Sequence, residues 1–213
     1  MRGRVQERMV TVARRDAAAE ALEAIYLAPG PDETRGAVLA PPHPLYGGSL
    51  DSPVLTELAY ACTQRGLGSL RFNWRGVGAS AGQPSGLAAD ADCDYRSALD
   101  HLTETLAGRL VAGGYSFGAA AALRVGAFTP RVDRLLLVAP PPALVEPAAI
   151  AASGRRTLVL VGEYDTIAPA GALRAALVSA PQVTLHVIAH ADHFFGEGLS
   201  ELARLAAAWL EDG

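Results

Sequence analysis

The sequence predicts an α/β architecture, a mostly parallel, doubly wound sheet flanked by helices, in one domain of 213 residues. Three observations predict it. Hydrophobic runs of strand length alternate with helix-length segments along most of the chain, which is the pattern of repeated β–α units. Several of those runs, such as DRLLLVAP at 133–140, are apolar on both faces, as strands covered by helices on both sides must be. Half of the residues are hydrophobic, many of them alanine, which supplies a sizeable core and helices that lie close to what they cover.

The elements follow in order. Strands are expected at 22–28 (LEAIYLA) and 35–42 (RGAVLAPP). A helix is expected at 51–66, with Asp51 or Ser52 as N-cap, Pro53 near its first position and Gly66 as its stop. Strand 67–73 leads into a glycine-rich loop, and a helix from Leu87 to Leu106 carries Leu99, Leu102 and Leu106 at helical spacing. Strand 109–116 runs into helix 117–128. Strands at 133–140 and 156–165, a helix at 168–180, a strand at 183–189 and a closing helix at 199–212 complete the series. Right-handed crossovers then place the loops that follow the strands along one edge. The proline-rich 139–149 is the one irregular stretch and is too short to form a separate lid.

Composition narrows the function classes. The net charge is -4, and the basic residues are scattered arginines with no lysine, so no nucleic-acid footprint is present. Cys62 and Cys93 lack the close spacing of a zinc site and read as free, mostly buried thiols, compatible with a reducing cytoplasm. The start, MRGRVQERMVTVARRD, is charged throughout and lacks the apolar core of a secretory signal. No run of about 18 apolar residues reads as a membrane span. The expectation is a cytoplasmic protein with no membrane partner, and a homodimer from the prevalence of two-fold oligomers.

Chemistry concentrates in five stretches. Gly114-Tyr115-Ser116-Phe117-Gly118 matches G-x-S-x-G between an apolar strand and a helix-forming run, the setting of a nucleophile on a strained strand-to-helix turn. A serine N-cap with packing glycines is the plain alternative. A serine nucleophile needs a base, and the base needs an orienting acid. Asp165 follows one downstream strand and His193 the next, in the order Ser, Asp, His. His190 competes for the base, and Glu163 and Asp192 compete for the acid. His186 lies within a strand, and His101 on a helix is expected to face solvent. Phe194 and Phe195 are expected to anchor the loop around His193. A tetrahedral intermediate needs two N–H donors. Phe117 supplies one by position. Leu45, with Tyr46 close behind, is expected to supply the other from PPHPLYGGSLDSP, whose Gly47 and Gly48 permit a tight reversal. RFNWRGVGASAG at 71–82 reads as loop scaffold in which Arg75 bonds carbonyls. Trp74 there and Tyr46 are the candidate substrate contacts.

Taken together, PPHPLYGGSLDSPV, RFNWRGVGASAG, GYSFGA, VGEYDTIAP and ADHFF make the chain resemble small, lidless bacterial α/β-hydrolases, esterase-like and loosely related to dienelactone hydrolases, from about Leu22 to Trp209. The resemblance implies the α/β-hydrolase fold with minimal or no lid, Ser116 as nucleophile, Asp165 as acid, His193 as base, and Leu45 and Phe117 as oxyanion donors. It implies a serine hydrolase that cleaves small carboxylic esters, with short or activated acyl groups preferred, and needs no metal or cofactor. Pro41 replaces the first His of the usual HPHP, and QPSGLAADADCD replaces a glutamate-containing segment. Dienelactone hydrolases use a cysteine where this chain has Ser116. A thioesterase or amidase with the same three residues, or a non-catalytic binding protein on the same scaffold, are the alternative readings.

Overall fold

Strand β5 (Leu110–Tyr115) sits in the middle of an eight-stranded sheet, and its position there is what gathers the candidate site. The computed structural model describes residues 6–211, so the first five residues of the charged N-terminal stretch and Asp212, the expected end of the closing helix, lie outside the described residues. The elements run β1 (Arg8–Ala13), β2 (Ala21–Leu27), β3 (Gly36–Ala40), α1 (Pro53–Gln64), β4 (Gly68–Phe72), α2 (Ala88–Thr105), β5, α3 (Phe117–Gly126), β6 (Val132–Val138), α4 (Pro147–Ser153), β7 (Arg156–Gly162), α5 (Ala170–Leu177), β8 (Val183–Ile188) and α6 (Leu199–Glu211).

The strand order is β1-β2-β4-β3-β5-β6-β7-β8. β1 and β2 pair antiparallel, as do β2 and β4, and every later pairing is parallel. β3, β4 and β5 are buried along their whole length, and their residues are apolar or small on both faces except Arg71 of β4, whose guanidinium bonds Thr56 and Glu7. β8, at the edge, alternates between exposed and half-buried residues until Ile188. α1 packs on α6, and α2 packs on α3. Residues Ala119–Ala122 of α3 are fully buried, so small side chains let that helix lie close to the sheet. The buried apolar residues form one contiguous cluster.

The chain departs from β3 to β4 on one side and returns to β5 on the other. The strand order therefore reverses between β3 and β5, with Ala40 beside Gly114. A crevice at such a reversal is where open α/β sheets hold their ligands. Two elements differ from expectation. β1 lies within the charged N-terminal stretch, and the proline-rich stretch contains a 3-10 turn at Pro142–Leu144 and the start of α4. Ser52 flanks α1 without a side-chain cap bond, and Pro53 alone marks the start. Among the described residues no helix is long and apolar enough to cross a membrane, and no cluster of ligating side chains could hold a metal ion.

Candidate active site

Ser116 ends β5 and begins α3 with φ 54 and ψ -116, a left-handed conformation that costs a non-glycine residue energy and persists only where surroundings enforce it. The enforcement is visible on both sides. A Cβ on Gly114 would lie 2.4 Å from the Gly118 backbone, and a Cβ on Gly118 would lie 2.4 Å from the Ala40 carbonyl oxygen. The spaced glycines of G-x-S-x-G are thus fixed by contact distances. The turn pushes the Ser116 side chain into a cleft of about 540 Å³ lined also by His193.

Ser116 Oγ lies 3.0 Å from His193 Nε2, and His193 Nδ1 lies 2.8 Å from Asp165 Oδ2. All three residues are buried, His193 at 6 % exposure. The Asp165 carboxylate only accepts, so the imidazole proton sits on Nδ1 and the Nε2 lone pair faces the serine. Asp165 Oδ1 accepts from the Ile167 amide at 2.9 Å and the Ala168 amide at 2.6 Å, which fixes the carboxylate that fixes the ring. The acid and base loops are also joined through backbone. The Glu163 amide bonds the Ile188 carbonyl, and the Tyr164 amide bonds the Ala191 carbonyl, each at 2.9 Å.

Tyr115, the residue before Ser116, ties the His193 loop to the turn after β5. Its hydroxyl donates to the His193 carbonyl at 2.7 Å, and its ring meets Phe195 edge-on. Burial, with the Asp165 and Asp192 carboxylates, raises the phenol well above its ordinary range, so the proton stays on the oxygen that donates. Phe195 is buried and anchors the loop as expected, whereas Phe194 stands 72 % exposed at the cleft. Asp192 shapes the same loop by accepting from the Phe194 and Gly196 amides.

The competing residues lie elsewhere. His190 and Glu163 face each other on the surface, Nδ1 to Oε2 at 3.9 Å, beside Tyr164. His186 is exposed on β8, and His101 is half-buried on α2. 

The loop after β3 gives the first of two corrections. The Leu45 amide donates to His43 Nδ1 at 3.2 Å, so it is engaged within its own turn, and the Tyr46 and Gly48 amides both donate to the His43 carbonyl. Pro41, Pro42 and Pro44 have no N–H at all. The His43 amide has no hydrogen-bond partner among the described residues, and His43 lines the cleft with its ring 4.6 Å from that of Phe117. The Phe117 amide, at the first position of α3, has no partner within the helix. Burial lowers the His43 imidazole below its ordinary range and keeps Nδ1 free to accept. The prolines flanking His43 were the sequence signal for this assignment.

Trp74 is the second correction. It is 1 % exposed and does not line the cleft. Its Nε1–H donates to the carbonyls of Pro41 and Pro42 at 3.2 and 3.0 Å, and its ring packs edge-on against Phe117. It holds the loop in place instead of touching substrate. Arg75 is likewise internal, with its guanidinium on Asp94 and Asp90 more than on loop carbonyls. Tyr46 does line the cleft and is largely exposed.

A carboxylate, an imidazole and a hydroxyl in buried hydrogen-bonded series at the strand-order reversal, on a mostly parallel sheet flanked by helices, decide the architecture. The fold is the α/β-hydrolase fold. A serine hydrolase homologue from Coxiella burnetii superposes with TM-score 0.83, at 28 % identity over 95 % of this chain and 97 % of its own. A serine hydrolase without a lid from Xanthomonas campestris superposes with TM-score 0.84, at 26 % identity over 95 % of this chain and 93 % of its own. An uncharacterized protein of Rickettsia prowazekii is 27 % identical over 186 residues, 82 % of this chain and 77 % of its own length. No protein-family profile matches the sequence. The chain is thus similar to lidless α/β serine hydrolases over nearly all its length, which supports a hydrolase.

Proposed function

We propose that the chain is a serine hydrolase that cleaves small carboxylic esters through an acyl-enzyme. The observation that carries this reading is the unbroken Asp165–His193–Ser116 series, at 2.8 and 3.0 Å, opening into a cleft. His193 Nε2 takes the Ser116 proton as Oγ attacks the ester carbonyl, and Asp165 stabilises the imidazolium that forms. The amides of Phe117 and His43 receive the oxyanion. His193 then protonates the departing alcohol, and a water activated by the same nitrogen releases the acid and frees Ser116.

Among the described residues no separate lid covers the cleft, which favours short or activated acyl groups over long lipid chains. The test has two arms. A fluorophosphonate probe is expected to add its mass at Ser116, and Ser116→Ala is expected to abolish both labelling and ester turnover. Along a p-nitrophenyl ester series, kcat/KM is expected to be highest at acetate or butyrate. Unchanged activity in Ser116→Ala removes the mechanism, and faster turnover of palmitate removes only the acyl preference.

A further inference from the structure

The loops on the catalytic edge of the sheet carry an uneven set of charges. The segments that follow β3, β4, β5, β6, β7 and β8 contain one arginine, Arg75, and it is buried against the Asp94 and Asp90 carboxylates. The same segments contain Asp51, Glu146, Glu163, Asp165, Asp192 and Glu197. No lysine exists in the chain. The cleft itself is lined by uncharged side chains around Ser116 and His193. Tyr46, Pro53, Leu144, Ile167 and Phe194 supply most of the wall, and none of the described lining residues is Arg, Asp or Glu.

Two physical consequences follow. A carboxylate on the substrate would leave water for a wall with no arginine among the described lining residues, where the donors besides the oxyanion amides are the uncharged Ser52 and Tyr46 hydroxyls. It would also approach past the carboxylates of the surrounding loops, Asp51, Glu146, Glu163, Asp192 and Glu197, whose summed field opposes an anion. An uncharged acyl or alcohol group meets neither cost and gains by covering the apolar wall, since Tyr46, Leu144, Ile167 and Phe194 are all solvent-exposed at the cleft.

We infer that the site selects esters that carry no anionic group on either side of the scissile bond, with discrimination set by the missing cation along the Leu144–Ile167 wall. The inference rests on the serine-hydrolase reading and specifies its substrate class.

The test compares p-nitrophenyl butyrate with p-nitrophenyl hemisuccinate at pH 8, where the second carries a terminal carboxylate on an acyl chain of matched length. The neutral ester is expected to have the higher kcat/KM by about a hundredfold, as an unpaired polar group in an apolar site commonly produces. Ile167→Arg is expected to cut that ratio to under about tenfold, because the arginine stem can lie along the wall and present its head to the carboxylate. Ile167→Gln, similar in size and uncharged, is expected to keep the ratio near its original value. Equal rates on the two esters in a protein whose Ser116 is still labelled by the fluorophosphonate overturn the substrate class and leave the hydrolase reading standing. A ratio unmoved by Ile167→Arg overturns the assignment to this wall. Absence of both labelling and turnover of either ester removes the hydrolase reading and this inference with it.

Discussion

The loops after β7 and β8 hold two carboxylate–imidazole pairs, Asp165 with His193 and Glu163 with His190, and the two differ in almost everything except residue type. In the first the nitrogen and oxygen are 2.8 Å apart and the side chains are 0 and 7 % exposed. In the second they are 3.9 Å apart and the side chains are 46 and 71 % exposed. Asp165 is held by two further amides and its imidazole reaches Ser116, while Glu163 accepts only the His190 amide besides facing its ring. The pairs interleave in sequence, each acid two residues from the other and each histidine three. What separates them is which way the loop backbone turns each side chain at the end of its strand. Gly162 lets the two loops approach closely there, since a Cβ on it would lie 2.4 Å from the Ala191 carbonyl oxygen. Proximity in sequence therefore says little about which pair works, and burial with hydrogen bonds on both sides says much.

The largest expected effect separates the pairs directly. Asp165→Asn is expected to lower kcat by about 10⁴-fold, because the amide reverses the donor and acceptor pattern and leaves the wrong histidine tautomer facing Ser116. Glu163→Gln is expected to leave kcat within about twofold, since its oxygen can still accept the His190 amide. Steady-state kinetics on p-nitrophenyl butyrate reads both, and comparable losses in the two variants would erase the distinction.

A smaller effect tests the oxyanion side, where the same contrast between engaged and unengaged groups decides between Leu45 and His43. His43 has φ -62 and ψ 125, a conformation that proline adopts, so His43→Pro removes the amide N–H with the backbone kept. Its expected cost is a loss of kcat between about 10² and 10³. His43→Ala removes the same imidazole but keeps the amide, and is expected to lose about tenfold or less through a loosened Leu45 turn. Equal losses would return the oxyanion role to another amide. Tyr115→Phe comes next in size. The His193 carbonyl loses its 2.7 Å donor while the ring contacts stay, and kcat is expected to fall about tenfold at constant KM as the imidazole loses its fixed position.

The contrast also explains what could be read from sequence. The central strands were legible because burial on both faces leaves continuous apolar runs, and the order Ser116, Asp165, His193 was legible because strand ends mark the loops. β1 was not, since RMVTVA is an edge strand with most residues exposed and charged neighbours. α4 was hidden by a proline-rich stretch whose Pro147 in fact sits at its first position. At the site, sequence favoured Leu45 because Gly47 and Gly48 permit a tight reversal, while the deciding fact was a bond from its amide to His43. Trp74 read as a cleft aromatic because it follows a strand on the catalytic edge. Its indole N–H instead serves two proline carbonyls, an arrangement visible only once β3 and β4 lie side by side.

The smallest expected effect concerns the surface pair itself. His190 has φ 62, so its replacement must tolerate the left-handed region, and asparagine does so better than most residues. In a cycle of Glu163→Gln, His190→Asn and the double variant, the coupling energy from urea denaturation is expected to stay below about 0.5 kcal/mol, because both groups are exposed and solvent screens them. All three variants are expected to keep wild-type kcat. A coupling above about 1 kcal/mol would mean that the outer pair braces the two loops that carry Asp165 and His193. The contrast would then shift from a working pair beside an idle one to two layers of a single support, with the surface layer holding the Glu163–Ile188 and Tyr164–Ala191 backbone bonds in register.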